Sequence, residues 1–129
     1  MRSEVEYATH FIMKDGRLER ELTVAYHHDT PLFIKGSASQ TPAVRVVGTC
    51  PDTQTLTAML RTIDYNGMGC ANFKMAGGRL QLIEINPRPW DQHILGRMGG
   101  ADVIHLAYCD RAGLPAPTPE PAEWNHKWL

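Results

Sequence analysis

Arg79-Leu-Gln-Leu-Ile-Glu-Ile-Asn-Pro-Arg-Pro-Trp90 is the stretch on which the reading of the fold turns. Leu80, Leu82, Ile83 and Ile85 form a short apolar run rich in branched side chains, and Gly77-Gly78 stands just before it. That pattern predicts a buried strand entered from a hairpin turn. Two polar residues interrupt it where a strand should be driest. Glu84 sits between two isoleucines and Asn86 follows two residues later. Residues i and i+2 of a strand share a face, so a carboxylate and an amide oxygen are expected side by side. Arg88 continues the same parity if the strand runs on. Pro87 and Pro89 end it, because neither can donate to a sheet ladder.

An oxygen pair of this kind suits a hard cation. Mg²⁺ takes one or two protein carboxylates and completes its shell with water and phosphate oxygens. A neighbouring arginine suits phosphate, since its fork of donors keeps its charge. The simpler alternative is a buried Glu84–Arg88 pair closing a strand end.

Upstream of this stretch, Glu4 to Met13 alternates and reads as a strand. Lys14-Asp-Gly-Arg17 is a tight turn with glycine where positive φ is needed. Leu18 to His27 returns, with Leu22, Val24 and Tyr26 on one face and Glu19, Glu21 and Thr23 on the other, the latter expected to meet solvent. Residues 29 to 41 read as a loop, and Val44 to Val47 as a further short strand. Asp52 is placed to cap a helix whose apolar stripe is Leu56, Met59, Leu60 and Ile63, ending near Tyr65. Asn66-Gly67 is expected to stop it with glycine in the left-handed cap. A strand from Gly69 to Met75 then turns through Ala76-Gly77-Gly78 into the central stretch.

Downstream, Asp91 can cap a short helix over residues 92 to 98, and Gly99-Gly100 ends it. Residues 101 to 112 form a third helix, with Gly113 after it. From residue 115 the chain is rich in proline and closes with Trp124 and Trp128, which either dock back on the body or form a contact surface for another subunit. The division is therefore a domain over residues 1 to 114 and a proline-rich tail over 115 to 129. Hairpins interleaved with helices indicate an α+β fold, one antiparallel sheet with helices packed on one face.

The totals narrow the function classes. At 129 residues with a formal net charge of −1, the chain is one domain with no broad basic surface for nucleic acid. No apolar run is long enough to span a membrane, and none reads as a signal peptide. Three widely spaced cysteines, Cys50, Cys70 and Cys109, match no metal-finger spacing and are expected as reduced thiols in a cytoplasmic protein. His27-His28 are adjacent and so point to opposite faces of a strand, a poor metal pair. Cys70 has no activating histidine in register and reads as a buried structural thiol.

Taken together, Tyr65-Asn-Gly-Met-Gly, Asn72-Phe-Lys and Gly77-Gly-Arg-Leu-Gln-Leu-Ile-Glu-Ile-Asn-Pro-Arg resemble the metal-binding end of the ATP-grasp superfamily, which includes carboxylate–amine ligases and the carbamoyl-phosphate synthetase large chain. The similarity extends more weakly from Glu6 to about Pro115. It implies the C-terminal lobe of the ATP-grasp fold. In that family two lobes hold Mg-ATP, and an acyl-phosphate formed on a substrate carboxylate is displaced by an amine or another nucleophile.

Carried over by position, the resemblance implies that Glu84 is the main metal carboxylate and Asn86 the second oxygen ligand. Asn72 falls where many members carry a further metal-binding Glu, a departure that leaves an amide in place of a charge. Arg88 matches the arginine that meets phosphate or the acyl-phosphate, and is the expected catalytic residue. Glu6-Tyr7 resembles the end of the Gly-x-Glu-Tyr segment that begins this lobe, with Glu4 in place of the Gly, which puts Glu6 with Asn72 and Arg88 in the nucleotide-binding group. The cofactors implied are Mg²⁺ and ATP. No counterpart of the family's N-terminal lobe is expected here, so catalysis needs a separate chain that supplies it. The alternative is a non-catalytic module that self-associates, most simply as a homodimer, through surface that such a lobe leaves uncovered. Exposure of Trp90, Trp124 or Trp128 is expected to favour that alternative.

Overall fold

The computed structural model describes residues 5–27, 43–90, 93–118 and 127–128. The elements run β1 (Glu6–Lys14), β2 (Arg17–His27), β3 (Ala43–Gly48), α1 (Thr53–Thr62), β4 (Gly67–Ala76), β5 (Arg79–Asn86), α2 (His93–Met98), α3 (Val103–Ala112) and β6 (Lys127–Trp128). The fold is α+β. The strands form one antiparallel sheet in the order β5-β4-β1-β2-β3-β6. The expected loop over residues 29–41 and the Asp91 cap lie outside the described residues, as does Trp124. The tail does return to the body, because the backbone of Lys127–Trp128 pairs with Val44 and Arg45 at the β3 edge.

Two tight turns set the hairpins. Asp15 and Gly16 at the first, and Gly77 and Gly78 at the second, all take positive φ, between 49° and 75°. Such turns match the right-handed twist of the flanking strands. The first is tied down from three sides. Arg61 Nε donates to the Gly16 carbonyl at 2.6 Å, Asn66 Oδ1 accepts from the Asp15 amide at 2.9 Å, and Lys14 Nζ pairs with Asp110 Oδ1.

The sheet is covered on both faces, not on one as the element order suggested. Phe11 and Met13 of β1 pack with Leu56 and Leu60 of α1, together with Ala71 and Phe73 of β4. Ile12, between them, points the other way and packs with Val103 and Ala107 of α3. Ala8, Leu22, Val24 and Cys70 share that second face with Trp90, Leu95 and Ala101. β1 is accordingly buried over six consecutive residues from Ala8 to Met13. Each fully buried leucine or phenylalanine here stabilises the fold by about 1.5–3 kcal/mol.

The same arrangement corrects the reading of β2. Thr23 is fully buried, its hydroxyl bonded to that of Thr9 at 2.8 Å. Glu21 is half-buried and accepts from the Cys50 amide at 3.2 Å and the Thr53 hydroxyl at 3.0 Å. A carboxylate at the start of α1 also complements the helix dipole. The face expected to meet water is instead the seat of α1.

Asp52 caps α1 as expected, accepting from the Thr55 amide at 3.2 Å. The helix stops earlier than expected, at Thr62, and the left-handed residue that follows it is Asp64 (φ 52°), while Gly67 takes positive φ (117°) at the start of the next strand. Gly67 opens β4. Asp102 caps α3 by accepting from the His105 amide at 3.1 Å, and Gly113 ends that helix with φ 66°. No helix among the described residues is long and apolar enough to cross a membrane.

Candidate functional site

The chemistry-bearing residues of β5 owe their placement to one irregularity. The β4–β5 ladder pairs Asn72 with Glu84 and then Phe73 with Leu82, so Ile83 is an extra residue on β5. Such a bulge resets the alternation of side chains along the strand. Leu80 and Leu82 pack into the α1 face, and so does Ile85, which strict alternation would send to the opposite side. Ile83 is 44% exposed. Glu84 and Asn86 fall together on the α2–α3 face, opposite Asn72 and Cys70. The two polar residues share a face as expected from their spacing, but the apolar residues before them do not lie on that face.

Across the ladder, Asn72 Nδ2 donates to Glu84 Oε1 at 2.9 Å. Asn72 Oδ1 is approached by the buried Cys70 thiol at 3.9 Å. Glu6 sits on β1 opposite Lys74, two residues along β4 from Asn72 and on the same face. Lys74 is in turn opposite Gln81 of β5. Glu6, Asn72 and Glu84 therefore share one end of one face with Lys74, and Asn86 lies on the same face further along, level with His10. The position of Lys74 two residues after Asn72 was the signal that could have found it, since i and i+2 share a face in a strand.

Arg88 lies just past β5, exposed, and its Nη1 donates to the Pro89 carbonyl at 3.2 Å. Glu84 is exposed as well. The simpler alternative of a buried Glu84–Arg88 pair is thus not what the strand end holds. Trp90 is buried, contrary to the exposure that would have favoured a self-association surface. It packs edge-on against His10 with ring centroids 6.1 Å apart. His93, one helix turn on, has Nδ1 within 3.2 Å of the Trp90 carbonyl.

Gly69 allows the end of β5 to close over the α1 side. A Cβ there would stand 2.7 Å from Phe11 Cζ, 2.9 Å from Tyr65 Oη and 3.2 Å from the Asn86 carbonyl. Real side chains do not tolerate such approaches. Phe11 and Tyr65 stack edge-on at 5.7 Å, and the Tyr65 hydroxyl donates to the Met68 carbonyl at 2.7 Å. Burial pushes the Tyr65 hydroxyl pKa up. It reads as a structural donor.

Glu84 brings the one negative charge among Glu84, Asn72 and Asn86, and Asn72 turns its amide nitrogen, not its oxygen, towards that carboxylate. No group of three His, Cys, Asp or Glu side chains among the described residues is placed to hold a metal ion. The three cysteines are free and buried. Burial raises the pKa of the Cys50 thiol, which suits an inert packing role.

No family model matches the chain, and no curated protein matches it.

Proposed function

We propose that this domain is the metal-binding lobe of an ATP-dependent ligase of the carboxylate–amine type, acting with nucleotide held jointly with a second lobe. The observation that supports this most is the side-by-side placement of Asn72 and Glu84, 2.9 Å apart across β4 and β5, with Asn86 on the same face. In this reading Glu84 is the charged ligand and the amide oxygens of Asn86 and Asn72 complete the protein's share. Asn72 needs only to turn its amide to offer oxygen in place of nitrogen. Arg88, exposed at the strand end, meets phosphate and is the catalytic residue of the transfer. Glu6 and Lys74 border the nucleotide. Mg²⁺ would neutralise charge on the phosphates during transfer.

The test is the melting temperature of the full chain with and without Mg-ADP and Mg-ATP in the millimolar range. A ligand that binds only the native state raises stability by RT ln(1 + [L]/Kd). A rise that vanishes with EDTA supports the reading. Equal melting curves with and without nucleotide and metal refute it for the single lobe.

A second reading draws on the sheet edge. Among the described residues β5 pairs on one side only, with β4, and it carries the exposed Ile83. Such an edge can pair with a copy of itself. In this reading the domain is a self-associating module, and a concentration-dependent dimer by sedimentation, broken by Ile83→Lys, supports it.

A further inference from the structure

We propose that the recess between β2 and the α2–α3 corner binds a small phosphate monoester. The recess encloses about 290 Å³. Three separate elements each bring one basic side chain to its wall: Arg20 from β2, Arg97 from the last turn of α2, and His105 from the first turn of α3. Two guanidinium groups on one wall give the recess a positive potential that favours an anion. Neither finds a carboxylate among the described residues. Arg20 Nη1 donates to its neighbour's carbonyl, Glu19 O, at 2.8 Å, and the Arg97 side chain makes no hydrogen bond or ion pair among the described residues. Among the described residues Asp102 is the one acid on the wall, and its Oδ1 caps α3 by accepting from the His105 amide.

The rest of the wall sets what the anion carries. Leu106 and Pro117 give the recess an apolar side. The volume lies at the small end of the range for ligand pockets, larger than a bare ion needs. A phosphate head with a compact apolar body meets both parts. Two arginine forks match phosphate oxygens better than any other pair of side chains.

This site is separate from the Glu84 end of the sheet and does not depend on it. Arg20 sits opposite Ile12, whereas Glu84, across β4, is level with Ala8 and three strands away from β2. Four residues along the strands and three strand spacings across them put roughly 13 Å and roughly 14 Å between the two in those directions.

The experiment is a calorimetric titration of the full chain with phenyl phosphate, with phenol as the neutral control. Saturable binding of phenyl phosphate and none of phenol is expected. Arg97→Ala, an exposed position, should weaken it by about tenfold or more, and Arg20→Gln likewise. Glu84→Gln should leave the affinity unchanged. The proposal is overturned if wild-type protein binds no phenyl phosphate in the millimolar range, if phenol binds equally, or if Arg97→Ala binds as wild type does. Arg20 is half-buried, so a folding defect in its variant leaves Arg97→Ala as the deciding measurement.

Discussion

Asn72 and Glu84 face each other across β4 and β5, the amide nitrogen donating to the carboxylate at 2.9 Å. Of the contacts on the α2–α3 face, this one tests the functional reading most directly. Glu84 is exposed, so Glu84→Gln should change stability by less than about 1 kcal/mol. It should also abolish any Mg²⁺-dependent rise in melting temperature with nucleotide. A variant that unfolds would make Glu84 a structural partner instead.

The converse substitution changes sign with metal. Asn72→Asp places two carboxylates directly opposite, which costs up to about 1 kcal/mol without a cation. Added Mg²⁺ should then stabilise the variant more than it stabilises the wild type. Melting curves with and without Mg²⁺ read this out, and an Asn72→Asp protein indifferent to Mg²⁺ would count against a metal at this end.

The Ile83 bulge predicts unequal costs for two neighbouring isoleucines. Ile83 points to solvent, whereas Ile85 packs against the α1 cluster. Ile83→Thr should alter unfolding free energy by no more than about 0.5 kcal/mol. Ile85→Ala should cost about 2 kcal/mol. Denaturant unfolding of the two variants decides it, and equal costs would mean that β5 pairs without the bulge.

Coverage of both faces predicts additivity. Leu56→Ala empties space under α1 and Val103→Ala under α3, with the sheet between them. The first should cost about 3 kcal/mol and the second about 2 kcal/mol. The double variant should cost their sum to within about 0.5 kcal/mol, since the sites share no partner. A large coupling energy would place both residues in one cluster.

His10 gives a pH dependence. It is 1% exposed, and neither ring nitrogen has a hydrogen-bond partner among the described residues. Its pKa is lowered from 6.5 to about 4, chiefly by burial and next by the neighbouring His93, with Asp102 opposing both. The unfolded chain therefore takes up the proton at a higher pH than the native one. The native state keeps its full stability above pH 6.5 and loses it as the pH falls towards 4, by about 3 kcal/mol in all. His10→Leu should flatten this slope and add about 1 kcal/mol at neutral pH, because it removes an unsatisfied buried group. Unfolding free energies at several pH values would show whether the slope between 6.5 and 4 belongs to His10.

Local chemistry was legible in the sequence wherever a few adjacent residues decide the outcome. Asp52 and Gly113 bound their helices as their types dictate, and Asp15-Gly16 and Gly77-Gly78 make the turns that positive φ allows. The order of strands and helices, the antiparallel sheet and the shared face of Glu84 and Asn86 follow from periodicity and spacing alone. What only the tertiary structure decided depends on partners distant in the chain. The bulge at Ile83 is a property of the ladder with β4, so alternation within β5 could not reveal that Leu82 and Ile85 share a face. Thr23 and Glu21 look like solvent-facing residues until α1 lies over them. Phe11 and Ile12 are adjacent apolar residues, and their sequence does not say that each meets a different helix. The gathering of Arg20, Arg97 and His105 is of the same kind: three basic residues from three elements, brought to one recess only by the packing of α2 and α3 on the sheet.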